Sequence, residues 1–236
     1  MRSSRSSPDP LDPGPNGFAH RGLHDGATFI ENSPIAFAAA LELGAGIECD
    51  LRLTADDQVI VFHDADTLRL CASPALIGRS TLAELARFTV GNHPIPTLGQ
   101  LLTLVDDRVP LLLEAKIDDR FWRFGPALLA ALGGYRGRYG VMSFDPRLAR
   151  WLKTNAPKIR RGLVVSDRLS PVRRWFSMWL ADPQFLAIDI QALGKPWVAR
   201  ARRRIPVYTW TVRTPADRET ARVHADAPIW EADGRP

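Results

Sequence analysis

The chain is poor in cysteine and lysine and contains no long apolar run. Cys49 and Cys71 are its only cysteines, without C-x-x-C spacing, so neither a disulfide framework nor a thiolate zinc or redox site is expected. No stretch of about 18 apolar residues occurs, so no membrane-spanning helix is expected. The opening "MRSSRSSPDPLDPGPNG" has no apolar segment of the secretory kind. Residues 1–16 read instead as a mobile Ser/Pro/Asp-rich tail, and the setting as cytoplasmic and reducing. Lys116, Lys153, Lys158 and Lys195 are the only lysines, so arginine supplies nearly all of the net charge of +5. Such a balance suits an anionic partner. Nucleic acid is not expected, because no binding signature follows and the aromatics are not interleaved with a basic run. Internal repeats are absent too.

What is present is an alternation. A chain of 236 residues that is 45% hydrophobic and 24% charged can bury one sizeable core. β-like runs occur at 17–20, 47–53, 111–116, 139–144, 161–165, 185–190, 207–212 and 227–231. Helix-like segments lie between most of them, opened by capping residues. Ser33-Pro34 starts one that Gly44 closes; Asp145-Pro146 and Thr214-Pro215 start two more. Strands alternating with helices through a single domain, 17–236, predict an α/β fold, a (β/α)8 TIM-type barrel. The extra run "QVIVFHD" follows a hairpin-like turn and reads as an added β-element. Residues 64–108 then read as a small insertion between strands 2 and 3.

Strand periodicity gives the charges a direction. In "IECDLRL", Glu48 and Asp50 share a face and Cys49 takes the other. If Ile47, Cys49 and Leu51 meet the helices, both carboxylates enter the barrel. "LLLEAK" puts Glu114 and Lys116 on one face near a strand end. Ion pairing is the plain account of any one of these acids. It is a poor account of three together at the ends of neighbouring strands, where hard oxygen ligands suit Mg²⁺ or Ca²⁺. His20 ends the first strand before Arg21, and His63 ends the hairpin run before Asp64. Two histidines beside a carboxylate cluster and an arginine suit proton transfer at a bound anion, best a phosphoryl group. His24, His93 and His224 lack such company and read as structural.

The segments "AHRG" (19–22), "ENS" (31–33), "IECDLRLT" (47–54), "VIVFHD" (59–64), "LLLEAK" (111–116), "MSFDP" (142–146) and "YTWTV" (208–212) are ordered and spaced as in one family. The chain resembles the glycerophosphodiester phosphodiesterases from about residue 17 to 231. The resemblance implies a barrel with a small insertion and hydrolysis of glycerophosphodiesters to glycerol 3-phosphate and an alcohol. It further implies a divalent cation, Mg²⁺ or Ca²⁺, on Glu48, Asp50 and Glu114, and His20 and His63 as the acid–base pair. Arg21 and Lys116 would meet the phosphate, Trp210 would face the substrate, and Glu31 and Asn32 would support the shell, Glu31 by orienting Arg21. Ser33 stands where the family has Thr, and "APIWEADGRP" departs from its D-G-x-x-T-D form, so Glu231 receives no role. A lysolipid-cleaving relative and a non-catalytic phosphate-binding or membrane-associated protein are the alternatives.

One segment stands outside this reading. "SPVRRWFSMWLADPQFLA" (170–187) carries Trp175, Phe176, Met178 and Trp179, too many for one narrow helical stripe, beside Arg173 and Arg174. It reads either as a helix with a wide apolar face on the barrel, or as an apolar lip over 173–180 that touches substrate or a membrane surface.

Overall fold

Local chemistry sets the helix starts. Ser33 accepts from the Ala36 N–H with Pro34 in the first turn, and Gly44 closes that helix in the left-handed region at φ 67°. Asp145 accepts from the Arg147 N–H, and Thr214 forms a capping box with Asp217. A computed structural model describes residues 9–236 of the chain. β1 (Phe18–His20) leads to α1 (Pro34–Leu43) and β2 (Gly46–Leu53), on which β3 (Val59–Val61) folds back antiparallel. Four short pieces follow: α2 (Leu68–Cys71), α3 (Leu82–Leu85), β4 (Thr89–Val90) and β5 (His93–Pro94). The alternation then resumes with α4 (Leu98–Val105), β6 (Leu111–Ala115), α5 (Phe121–Leu132) and β7 (Tyr139–Ser143). It continues through α6 (Pro146–Asn155), β8 (Arg160–Val165), α7 (Pro171–Ala181) and β9 (Phe185–Asp189). The last elements are α8 (Pro196–Arg202), β10 (Val207–Val212), α9 (Pro215–His224) and β11 (Ala227–Trp230).

β1, β2 and β6 to β11 run parallel, and β1 pairs with both β2 and β11, which closes the (β/α)8 barrel. The insertion is smaller than 64–108. Leu98, Leu101, Leu102 and Val105 bury one stripe of α4, which packs beside α1 and α5 in the outer ring of helices. The added lobe is therefore β3 to β5, with a core of its own around Ile60, Phe62, Ile77 and Phe88. Among the described residues, no helix is long and apolar enough to cross a membrane.

Side chains alternate along each barrel strand. Ile47, Cys49 and Leu51 pack outward with Leu111, Leu113 and Ala115. The inward positions are apolar at the start of the strands, where Phe18, Leu112, Met142, Val164, Tyr208 and Ile229 form one cluster. They become charged at the strand ends: His20, Glu48, Asp50, Glu114 and, just past β11, Glu231. Residues 1–8 lie outside the described residues. Within the rest of the stretch expected as a mobile tail, Leu11 and Pro13 are buried, and Leu11, 1% exposed, plugs the bottom of the barrel. A Cβ on Gly140 would stand 2.6 Å from Leu11 Cδ1, so glycine makes room for the plug. Asp9 accepts from the Tyr208 hydroxyl and sits 3.5 Å from Arg160. Leu11→Ala should cost about 3 kcal/mol by leaving a cavity that strands cannot collapse into. Urea unfolding would check it, and a loss below about 1 kcal/mol would mean that the plug is not part of the core.

In α7 the four residues Trp175, Phe176, Met178 and Trp179 do not share one stripe: Met178 turns to the barrel, as Ala181 does, while Trp175, Phe176 and Trp179 lie with Val172, at i, i+3, i+4 and i+7, on an exposed face. The wide apolar face is therefore not packed on the barrel.

Candidate active site

Strand register assembles the acids. His20 lies opposite Glu48 across β1 and β2, and Asp50 lies opposite Glu114 across β2 and β6. Ligand oxygens of Glu48, Asp50 and Glu114 come within 4.8 Å of one another, and all three residues are buried. Three like charges there repel, and the residues divide the charge unevenly. Burial, reinforced by Asp50, pushes Glu48 well above the usual carboxylate range. Burial lifts Glu114 to about 6 against the pull of Lys116. Burial opposes ionisation of Asp50 as well, but Lys116 and Arg21 outweigh it and hold that carboxyl low.

The cations reach the same point from two sides. Lys116 Nζ stands 2.9 Å from Asp50 Oδ1 and pairs with Glu114. Arg21 Nε stands 3.1 Å from Asp50 Oδ2, and Arg21 Nη1 donates to Glu31 Oε1 at 2.7 Å. Glu31 is thus in contact with Arg21. Arg21 itself adopts φ 57°, a left-handed turn that costs a non-glycine residue about 1–3 kcal/mol. Its backbone N–H then donates to Glu48 Oε2 at 3.1 Å, so one residue serves the acids with backbone and side chain. Asn32, also left-handed at φ 56°, donates to Asp50 Oδ2 at 2.9 Å and accepts from the Asp50 N–H at 3.3 Å.

Each histidine has a carboxylate behind it. His20 Nδ1 lies 2.5 Å from Glu231 Oε2, and its Nε2 lies 3.9 Å from Glu48. His63 Nδ1 lies 2.7 Å from Asp64 Oδ1. Burial lowers the pKa of both rings below the ordinary value. A carboxylate at Nδ1 favours the tautomer with its proton there, which leaves Nε2 as the reactive nitrogen. Glu231 is held in turn by Arg213 Nε at 2.6 Å and has His24 Nε2 at 3.6 Å. Asp64 accepts from Arg69 Nε at 2.6 Å, and Arg69 also donates to both oxygens of Glu31. Arg69, on α2, therefore ties the His63 support to the Arg21 support.

Sequence reasoning missed Glu231, Arg69 and His24. Glu231 carried a usable signal, an acid one residue past the last strand. His24 reads as structural only until Glu231 is beside it, and nothing near Arg69 in the sequence marks it. Trp210 sits half-buried on the barrel wall, donating Nε1–H to Ala187 O at 3.0 Å, with its ring edge-on to Phe144 at 5.5 Å. The Phe144 ring centre is 5.9 Å from Lys116 Nζ, so the two aromatics wall the cationic side of the cluster. Phe144 is 47% exposed although apolar, as a surface kept for a ligand would be.

The acids fit a hard divalent cation. Glu48 Oε1 is buried with no hydrogen-bond partner, Asp50 Oδ1 meets only the Lys116 ammonium, and the available ligands are all carboxylate oxygens. A dication there would offset both the burial and the mutual repulsion that raise the pKa of Glu48 and Glu114.

Known proteins resemble the chain throughout this region. The model of the family described as "Glycerophosphoryl diester phosphodiesterase family" matches residues 20–227. A glycerophosphodiester phosphodiesterase from Caldanaerobacter subterraneus is 26% identical over 225 residues, covering 85% of this chain and 87% of the relative. The crystal structure of a glycerophosphodiester phosphodiesterase from Thermotoga maritima matches with a TM-score of 0.75 at 25% identity, over 90% of this chain and 92% of that one. An Oleispira antarctica phosphodiesterase, solved in complex with the product sn-glycerol-3-phosphate, matches with a TM-score of 0.79 at 21% identity over 94% of each chain.

Proposed function

We propose that this chain, which belongs to the glycerophosphoryl diester phosphodiesterase family and is a phosphoric diester hydrolase, cleaves glycerophosphodiesters by two-histidine acid–base catalysis beside a divalent cation. The observation that carries the reading is the convergence, at one end of the barrel, of three buried carboxylates, two carboxylate-backed histidines, Arg21 and Lys116. Glu48, Asp50 and Glu114 would hold the cation, which supplies Lewis-acid polarisation of a phosphoryl oxygen.

The residues of the chain supply the rest. A phosphodiester monoanion repels nucleophiles, and Arg21 and Lys116 offset its charge as more develops in the transition state. One histidine, neutral at Nε2, takes the proton of the glycerol 2-hydroxyl while that oxygen forms a bond to phosphorus. The bond to the alcohol breaks, and the other histidine, protonated, gives its proton to the departing oxygen. The cyclic phosphate left behind is opened by water with the two rings in exchanged roles, which yields glycerol 3-phosphate. Phe144 and Trp210 would face the substrate beside Lys116.

Release of glycerol 3-phosphate from glycerophosphocholine, in Mg²⁺, in Ca²⁺ and in excess chelator, tests the reaction. Release in a metal that the chelator stops is expected. Silence in both metals, with lysophosphatidylcholine turned over instead, would move the activity to the lysolipid class.

Two further expectations arise here. A dication needs ionised carboxylates, so protons on Glu48 and Glu114 must leave first. The gain in melting temperature on adding Mg²⁺ or Ca²⁺ should therefore be larger at about pH 7.5 than at about pH 5.5. Without cation the sign reverses for Glu114: its raised pKa favours folding below the unfolded value and loses that contribution as pH rises through about 6. Equal cation gains at both pH values would count against the carboxylate site. The second concerns Glu231, whose bond to His20 raises that ring's pKa against burial. Glu231→Gln should lower kcat about 10–100-fold. The limb of the pH profile that reports His20 should also move to lower pH, whichever role the ring has first. A profile that stays in place would reduce Glu231 to a packing residue.

A further inference from the structure

The outer face of α7 takes no part in this chemistry. Val172, Trp175, Phe176 and Trp179 are 76%, 67%, 50% and 65% exposed and run about 10 Å along the helix. A surface helix ordinarily turns such a stripe toward the core. Here Ala181 is buried and Met178 packs on the barrel, and Arg174 stacks over Trp197 at 4.3 Å, which fixes the helix rotation with the stripe outward. Exposed apolar surface of this kind marks a contact with something else.

Charge identifies the occupant. Arg173 lies within α7, Arg168 on the turn before it, and Arg150 lines a depression beside Trp179 together with Lys153 and Asp182. None of the three arginines is ion-paired to a carboxylate among the described residues, and α7 contains no acidic residue. A second copy of this face would bring the same arginines, while the acids at its two ends, Asp167 and Asp182, are already paired, with Lys195 and with Lys153 and Arg161. A lipid surface bearing anionic headgroups satisfies both halves: tryptophan rings settle at the headgroup level, and arginines meet phosphates. We propose that α7 docks the protein on an anionic lipid surface, with Trp175, Phe176 and Trp179 in the headgroup layer. α7 follows the C-terminal end of β8 after a short turn, so its first residues lie toward the end of the barrel at which the acids gather.

The inference goes beyond the diesterase reading, and binding tests it without turnover. The full chain is sedimented with vesicles of phosphatidylcholine alone and with vesicles containing about 30% phosphatidylglycerol. Wild type should partition to the anionic vesicles and far less to the neutral ones. The double variant Trp175→Ala/Trp179→Ala should bind at least about tenfold more weakly, and hydrolyse soluble glycerophosphocholine as wild type does. Absence of wild-type binding to either vesicle would overturn the proposal, as would undiminished binding of the double variant. So would a dimer in light scattering that the two substitutions dissolve, since it assigns the face to a second copy. Vesicle binding by a protein inactive on every diester would leave the docking face standing and remove the diesterase reading alone.

Discussion

Turnover of glycerophosphocholine by His20→Ala, and separately by His63→Ala, is expected to fall about 10²–10⁴-fold, the usual contribution of one positioned acid or base. The structure argues that the loss would be chemical. Without the His20 ring, Glu231 keeps Arg213 and has His24 within 3.6 Å, and Glu48 keeps the Arg21 N–H. Without the His63 ring, Asp64 keeps Arg69. No buried carboxylate is stranded in either variant, so melting temperatures should stay within a few degrees of wild type. Substrates then separate the roles. A glycerophosphodiester with a nitrophenol leaving group needs no proton on departure, so it should restore the first step in whichever variant has lost the acid. It should leave the variant lacking the base impaired. Either variant turning over at near the wild-type rate would remove that histidine from the mechanism.

Asp50→Asn should have an effect of similar size, by a different route. Asp50 is the acid most firmly ionised in the cluster, held down by Lys116 and Arg21, and it accepts from Asn32. An amide of the same shape removes the charge on which cation and phosphate-binding groups all converge. Cation affinity and kcat/KM should each fall at least about 10²-fold, more than for loss of a residue that merely orients a ligand. Stability should change little, because the Asp50 charge that adds to burial in raising the Glu48 pKa is removed, which favours ionisation of that carboxyl beside Arg21. The cation-dependent rise in melting temperature is the readout: it should vanish in Asp50→Asn at a pH where wild type shows it. A variant that keeps both the rise and the activity would rule out a cation at this cluster.

Much of the site was legible because its residues lie on regular strands. A period of two put Glu48 and Asp50 on one face and Cys49 on the other, and the same rule aligned Glu114 with Lys116. Caps such as Ser33 and Thr214 are local hydrogen-bonding events, so the helix starts could be read directly. The lobe boundary was misplaced because α4 follows irregular chain with no break in composition, and only its packing beside α1 and α5 assigns it to the ring. The packing of Leu11 was equally hidden, since one leucine among serines and prolines carries no periodicity.

The chain by itself determined the alternation of strands and helices, the inward carboxylates and the two strand-end histidines, all properties of neighbours within a few residues. Tertiary structure decided what closes around them. Glu231 meets His20 because β11 returns to pair with β1, across 211 positions of sequence that no local pattern spans. Arg69 joins Glu31 to Asp64 only once the lobe folds over the strand ends. The stripe of α7 shows the remaining limit: spacing says that Met178 cannot share a narrow stripe with Trp175, Phe176 and Trp179, but not which of the two sides the helix turns outward. That rotation is set by what packs on the opposite side, where Met178, Ala181 and the Arg174–Trp197 stack leave the tryptophans facing out.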